Sequence, residues 1–124
     1  MINEQATQST ARRAPDTIVS LSHADFTERV IEADGPIVVE FMSSTCSHCA
    51  ALAPVLRQVA EQLRGREKVF CVDIDADPNL ASNFGIDGTP TIVLFQSGQE
   101  IGRLVGPSPD EATLLAALTE PFEA

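Results

Sequence analysis

The run Ile37-Val38-Val39-Glu40-Phe41-Met42 limits the fold more than any other stretch of the sequence. It is apolar at nearly every position, so it lacks the in–out alternation of a strand with one wet face. Such a strand has to be covered on both faces, which calls for helices on either side of a sheet. Cys46-Ser47-His48-Cys49 follows, and then a helical pattern over 47–64 with Leu52, Val55, Leu56, Val59 and Leu63 on one face. Pro54 inside that pattern predicts a bend, and Gly65 predicts its end.

The remaining periodic signals fit around this core. Thr17-Ile18-Val19-Ser20-Leu21 reads as a short strand. Ser22 with Asp25 resembles a capping box and opens a helix through Phe26, Val30 and Ile31, which Asp34-Gly35-Pro36 stops. A second buried strand spans 69–74, and Asp77-Pro78-Asn79 opens a short helix carrying Leu80 and Phe84. The strands 91–95 and 100–105 flank Gln96-Ser97-Gly98-Gln99, a hairpin signal. A closing helix runs from Ser108 to about Glu120 with Leu114, Leu115 and Leu118. The order β-α-β-α-β-α-β-β-α predicts an α/β fold, a central mixed β-sheet flanked by helices on both faces. Residues 1–15 have no period and read as a flexible N-terminal tail; 16–124 read as one domain, the usual size for 124 residues.

Charge and composition remove whole classes of function. A formal net charge of −10 repels phosphate backbones and anionic lipid, so neither nucleic acid nor a membrane surface is an expected partner. Without Trp or Tyr, base-stacking platforms would rest on Phe alone. No stretch approaches the roughly 20 apolar residues of a membrane span. Arg12-Arg13 is followed by Ala14-Pro15-Asp16 rather than an apolar core, which rejects a twin-arginine signal. The expected location is therefore cytoplasmic, where paired cysteines are more often catalytic or metal-binding than structural. The three cysteines are too few, and odd in number, for a disulfide scaffold.

Cys46 and Cys49 are separated by two residues at the mouth of a helix, within disulfide reach across one turn. At a helix N-terminus, free amides and the macrodipole stabilise a thiolate, which makes Cys46 the nucleophile. Cys49, one turn deeper, is placed to resolve a mixed disulfide. His48 adds partial positive charge beside the Cys46 thiolate. A structural zinc site would need a second ligand pair, which Cys71 and His23 do not supply by spacing. An iron–sulfur cluster would need a dimer. Sulfur chemistry alone needs no cofactor, and no metal is expected.

Glu40, in the middle of the apolar strand, is costly to bury without a partner or a task. As a task, it would accept the Cys49 proton through water, with a raised pKa; otherwise its carboxylate reaches solvent or an arginine. Pro90 opens a buried strand although it cannot donate to the ladder. A cis Thr89–Pro90 bond would supply a tight turn and free the Thr89 backbone to pair with an extended peptide. Cys71 reads as a small buried hydrophobe, His23 as an exposed polar residue, and Asp73, Asp75, Asp77 and Asp87 as a solvated acidic face.

Together these residues resemble the thioredoxin family along nearly the whole chain, from Asp16 to about Glu120. The resemblance is carried by Ala33-Asp34-Gly35, Glu40, Cys46-x-x-Cys49, Pro54, Asp73-Ile74-Asp75-x-x-Pro78, Phe84-Gly85-Ile86, Gly88-x-Pro90-Thr91, Phe95-x-x-Gly98 and Val105-Gly106. It implies a thioredoxin fold, with attack by Cys46, release by Cys49, a buried acid at Glu40 and a cis Pro90. It also implies a substrate groove lined by Thr45, Thr89, Pro90 and Gly106. Protein disulfides would be the substrates, and a thioredoxin reductase or another thiol donor would supply electrons. Met42 and Thr45 stand in place of the family's aromatic pair, Ser47-His48 in place of Gly-Pro, and Cys71 in place of a lysine. Histidine before the second cysteine is similar to the oxidising and isomerising branches. This predicts a reduction potential less negative than the roughly −270 mV of thioredoxin itself. The expected activity is thiol–disulfide exchange; the alternative is a thioredoxin-like adaptor or chaperone with little turnover.

Overall fold

The structure, a computed structural model, describes residues 18–106 and 110–123. Its sheet has five strands: β1 (Ile18–Ser20), β2 (Pro36–Met42), β3 (Lys68–Asp73), β4 (Thr91–Gln96) and β5 (Gln99–Val105). Their spatial order is β1-β3-β2-β4-β5. β1 and β2 both run parallel to β3, while β4 is antiparallel to β2 and β5 to β4. The apolar run is thus the central strand. Helix α1 (His23–Phe26) continues as a π-helical turn over Thr27–Ile31. Then come α2 (Ser47–Leu63), α3 (Pro78–Asn83) and α4 (Glu111–Glu123).

Alternation along β2 splits the core into two layers. Ile37, Val39 and Phe41 face α1 and α3, packing with Phe26, Val30, Phe70, Leu80 and Phe95. The rings of Phe26, Phe41, Phe84 and Phe95 meet at centroid distances from 5.2 Å (Phe26–Phe84) to 6.4 Å (Phe26–Phe41). Val38 faces the other way, toward Leu52, Leu56 and Val59 of α2 and Leu114 and Leu118 of α4. The mixed sheet with helices on both faces is as the sequence predicts. Glu40 shares the second face, so one carboxylate enters an otherwise apolar layer.

Local differences have local causes. The Ser22 hydroxyl donates to the Asp25 carboxylate at 3.2 Å and caps no backbone amide. The helix after it widens: Glu32 N–H donates to Thr27 O, five residues back, at 2.8 Å. At the end of that wide turn Ile31 leaves the apolar stripe and is 37% exposed, whereas Val30 is fully buried. α2 runs through Pro54 as one element, and its left-handed cap is Arg64 (φ 55°), one residue before Gly65. α4 extends through Pro121 to Glu123. Its expected start at Ser108 and the tail at 1–15 lie outside the described residues, as does most of the boundary at 16.

The topology gathers the chemistry at one edge. β2 and β3 end there, leading into residues 43–46 and 74–77. β4 begins and β5 ends at the same edge, since both pair antiparallel, and this brings 88–90 and Gly106 alongside. Binding sites of α/β sheets lie at the carboxyl ends of the parallel strands.

Candidate active site

Cys46 is the N-cap of α2, with an extended backbone (φ −89°, ψ 114°) that leaves its side chain free to act on the first turn. Its sulfur accepts the Cys49 backbone N–H at 3.2 Å, the capping bond that Ser or Asp makes elsewhere. The same sulfur lies 3.3 Å from Thr89 O, and the Thr89–Pro90 bond is cis. Hydrogen bonding with the Cys49 side chain, then with Thr89, and then from the backbone N–H groups of Cys49 and His48 lowers the Cys46 pKa. His48 therefore reaches the sulfur through its backbone; its side chain, like that of Ser47, is on an exposed residue.

Cys49 is 3% exposed. Burial raises its pKa, the Cys46 side chain adds to the rise, and the Ser43 backbone N–H opposes it. Both thiols are free. The pair is thus polarised, with an activated outer sulfur and a protonated inner one.

Gly106 N–H donates to Pro90 O at 2.9 Å, and the Thr91 hydroxyl donates to Gly88 O at 2.7 Å. Cys46, Cys49, Thr89, Pro90 and Gly106 are therefore linked by contacts. Val105, next to them, is 73% exposed and gives this edge an apolar surface. Thr45 joins through Ser43, whose side-chain oxygen accepts the Thr45 N–H at 3.3 Å.

Glu40 sits apart from the pair. Its residue is 6% exposed and its Oε2 is buried with no hydrogen-bond partner. Desolvation by burial raises its pKa to about 7. Its Oε2 makes no hydrogen bond to an arginine. It lines a cavity of about 440 Å³ together with Ile18, Met42, Ala53, Leu56, Arg57 and Cys71, and Cys49 is not among the lining residues. Cys71 is its register partner on β3 and is half-buried, and burial followed by Glu40 and Asp73 keeps its thiol protonated.

The sequence reading missed Ser43 and took Asp75 only as part of a solvated acidic face. Ser43 is 7% exposed, and its hydroxyl donates to Asp75 Oδ2 at 2.6 Å. Asp73 Oδ1 accepts the Asp75 N–H at 2.9 Å. The acidic stretch is therefore partly structural rather than a purely solvated face. A serine after a buried strand carries no periodic signal, so only the fold reveals that the two loops meet. Among the described residues, no cluster of three or more His, Cys, Asp or Glu could hold a metal ion.

A vicinal dithiol capping a helix, beside a cis-proline on a mixed α/β sheet, defines a class of sulfur-based redox domain. The thioredoxin family model matches residues 17–120, and the chain belongs to that family. It is 35% identical over 102 residues to a thioredoxin of Synechocystis sp., covering 82% of this chain and 94% of that one. It is also 35% identical over 89 residues to thioredoxin 1 of Nostoc sp., covering 72% and 83% respectively. A bifunctional thioredoxin reductase/thioredoxin of Mycobacterium leprae is 31% identical over 115 residues, 93% of this chain and 25% of that longer protein.

Proposed function

We propose that this chain is a thiol–disulfide oxidoreductase that exchanges disulfides with protein substrates through Cys46 and Cys49. The observation that carries the reading is the polarised pair: Cys46 Sγ takes the Cys49 N–H at 3.2 Å at a helix mouth, beside Thr89 and Pro90. The Cys46 thiolate attacks a client disulfide, forming a Cys46–client bond and expelling one client sulfur as thiolate. Cys49 then loses its proton and attacks Cys46 Sγ. The Cys46–Cys49 disulfide forms, the Cys46–client bond breaks, and the second client sulfur leaves. The client gains two electrons and the dithiol loses two; each expelled thiolate takes a proton.

Glu40 serves as the acceptor for the Cys49 proton, carried between them by water. Burial places its pKa at about 7, close to working pH, where a proton acceptor is most efficient. Ser47 and His48 form the exposed dipeptide beside the nucleophile, and Thr45, Thr89, Pro90 and Gly106 line the groove for an extended client segment. A reductase or another thiol donor regenerates the dithiol, a reading supported by the bifunctional relative, in which the two activities share a chain. A reduction potential above the roughly −270 mV of thioredoxin is expected because the Cys46 thiolate of the reduced form is stabilised. We place the activity in the cytoplasm on cysteine usage; among the described residues no helix is long and apolar enough to cross a membrane.

Insulin reduction by dithiothreitol tests the reading. Wild type accelerates turbidity, Cys46→Ser abolishes the acceleration, and Cys49→Ser accumulates a covalent client adduct. Activity indifferent to Cys46→Ser would overturn it and leave the adaptor alternative.

A further inference from the structure

The edge of the sheet opposite Cys46 carries a second concave feature, which sulfur exchange leaves unused. A cavity of about 380 Å³ opens where α2 ends and β3 begins, walled by Val19 and Phe70. The 17 residues of α2 set it about 25 Å from the Cys46 end of that helix. Three of the chain's eight Lys and Arg residues, Arg29, Arg64 and Lys68, line it, although the net charge is −10. Arg29 stacks on the Phe70 ring with its Cζ 5.3 Å from the centroid, which holds one guanidinium at the wall. Among the described residues, none of the three is in an ion pair. The neighbouring Arg66 is engaged at the helix end instead, where its backbone N–H and its Nε donate to Leu63 O at 3.1 and 3.2 Å. Glu67 also lines the cavity, and its Oε1 is buried with no hydrogen-bond partner. An acceptor in that state is costly until a donor reaches the carboxylate.

We propose that this cavity binds a small phosphate monoester with a hydroxylated body, of the sugar phosphate class. Arg29, Arg64 and Lys68 hold the phosphate, and the Glu67 carboxylate accepts a hydroxyl of the body. The volume lies in the range of small-molecule sites. A monoanion would leave most of the positive charge uncompensated. A phosphate monoester brings close to two negative charges and three strong acceptor oxygens, one for each cation. Guanidinium forks match phosphate geometry, and the Phe70 face fixes one of them before a ligand arrives. Glu67 repels a bare phosphate, so its presence favours a ligand that also carries a donor. The cations act locally against the overall sign of the molecule, which makes the site selective for a small anion over an extended polyanion.

Isothermal titration calorimetry and amide NMR of the full chain test this, with ribose 5-phosphate, inorganic phosphate and ribose as probes. Ribose 5-phosphate should saturate and shift the amides of Val19, Arg29 and residues 64–70, while those of Cys46 and Cys49 stay in place. Inorganic phosphate should move the same amides with several-fold weaker affinity, and ribose alone should move none. Arg29→Gln and Arg64→Gln should each weaken ribose 5-phosphate at least about tenfold, the effect of losing a charged hydrogen bond. Arg57→Gln removes the same charge outside the cavity and should change the affinity by less than about twofold. Glu67→Gln should tighten inorganic phosphate and narrow the gap between the two anions. No saturable shift with ribose 5-phosphate, shifts that include Arg103, or equal weakening by Arg57→Gln would overturn the proposal. Equal affinity of wild type for the two anions would overturn the role given to Glu67. The cavity lies apart from the cysteine pair, so these readouts stand whether or not the chain reduces insulin.

Discussion

The Glu40 carboxylate is opposed by burial, and its Oε2 has no hydrogen bond to compensate, which makes its effect on stability a matter of sign. Its native pKa of about 7 lies above the ordinary 4.5, so the native state holds the proton longer than the unfolded chain. Below about pH 4.5 both states carry the proton and there is no cost. From about 4.5 to 7 the unfolded chain ionises first, and stability falls as pH rises; above 7 the loss is complete. Glu40→Gln removes the slope. Its stability relative to wild type should rise between about pH 5 and about pH 8 by up to about 3 kcal/mol, read by urea unfolding at both values. A difference independent of pH would contradict the assignment. The three thiols give a second expectation. Cys46 is half-buried with a lowered pKa, whereas burial raises both Cys49 and Cys71. Brief iodoacetamide treatment of the reduced protein should label Cys46 at least about tenfold faster than either, as read by peptide mass spectrometry. The sequence already singled out Glu40, Cys46 and Cys49, because a carboxylate in an apolar run and a spaced cysteine pair are local signals. It could not show that Glu40 faces Cys71 across the strands.

The hairpin between β4 and β5 shows how an element read correctly from sequence can have a role the sequence does not display. Ser97 (φ 51°) and Gly98 (φ 83°) both adopt left-handed conformations, as a tight primed turn requires. A Cβ on Gly98 would collide with the Ile31 carbonyl oxygen, a backbone atom at the end of the π-helical turn. Gly35 has a similar φ of 86° but open space around it. Gly98→Ala should therefore cost about 2 kcal/mol or more, because backbone strain and a clash combine, and Gly35→Ala only about 1 kcal/mol from strain. Chemical denaturation of the two variants checks the ordering; equal losses would show that the contact contributes nothing. The wide turn that puts Ile31 there was hidden in the sequence, since Phe26 and Val30 keep the four-residue spacing of an ordinary helix. Only the five-residue bond from Glu32 to Thr27 distinguishes it.

At the scale of the molecule, the −10 charge acts through its field. An acidic protein attracts cationic partners and repels anionic ones, and salt screens both effects over roughly 8 Å at physiological ionic strength. Attack by Cys46 on a disulfide peptide flanked by lysines should slow several-fold as ionic strength rises from about 0.02 to about 0.3 M. Attack on anionic glutathione disulfide should accelerate over the same range. The same slope for both substrates would show that the local surface of the site, and not the net charge, steers encounter. Among the described residues, the acidic Asp73 and Asp75 lie beside the loop that precedes the nucleophile, so the overall sign is felt near the site as well.

The sequence by itself determined the central two-sided strand, the order of elements and the redox pair, because each rests on neighbours along the chain: a continuous apolar run, hydrophobic period and a two-residue spacing. Tertiary structure decided what those residues face. Parallel pairing of β2 with β3 set Glu40 against Cys71 and left its Oε2 without a partner. Convergence of two strand ends brought Asp75, 32 residues away, to Ser43. Pairing register and loop convergence depend on contacts between distant segments, and no local period records them.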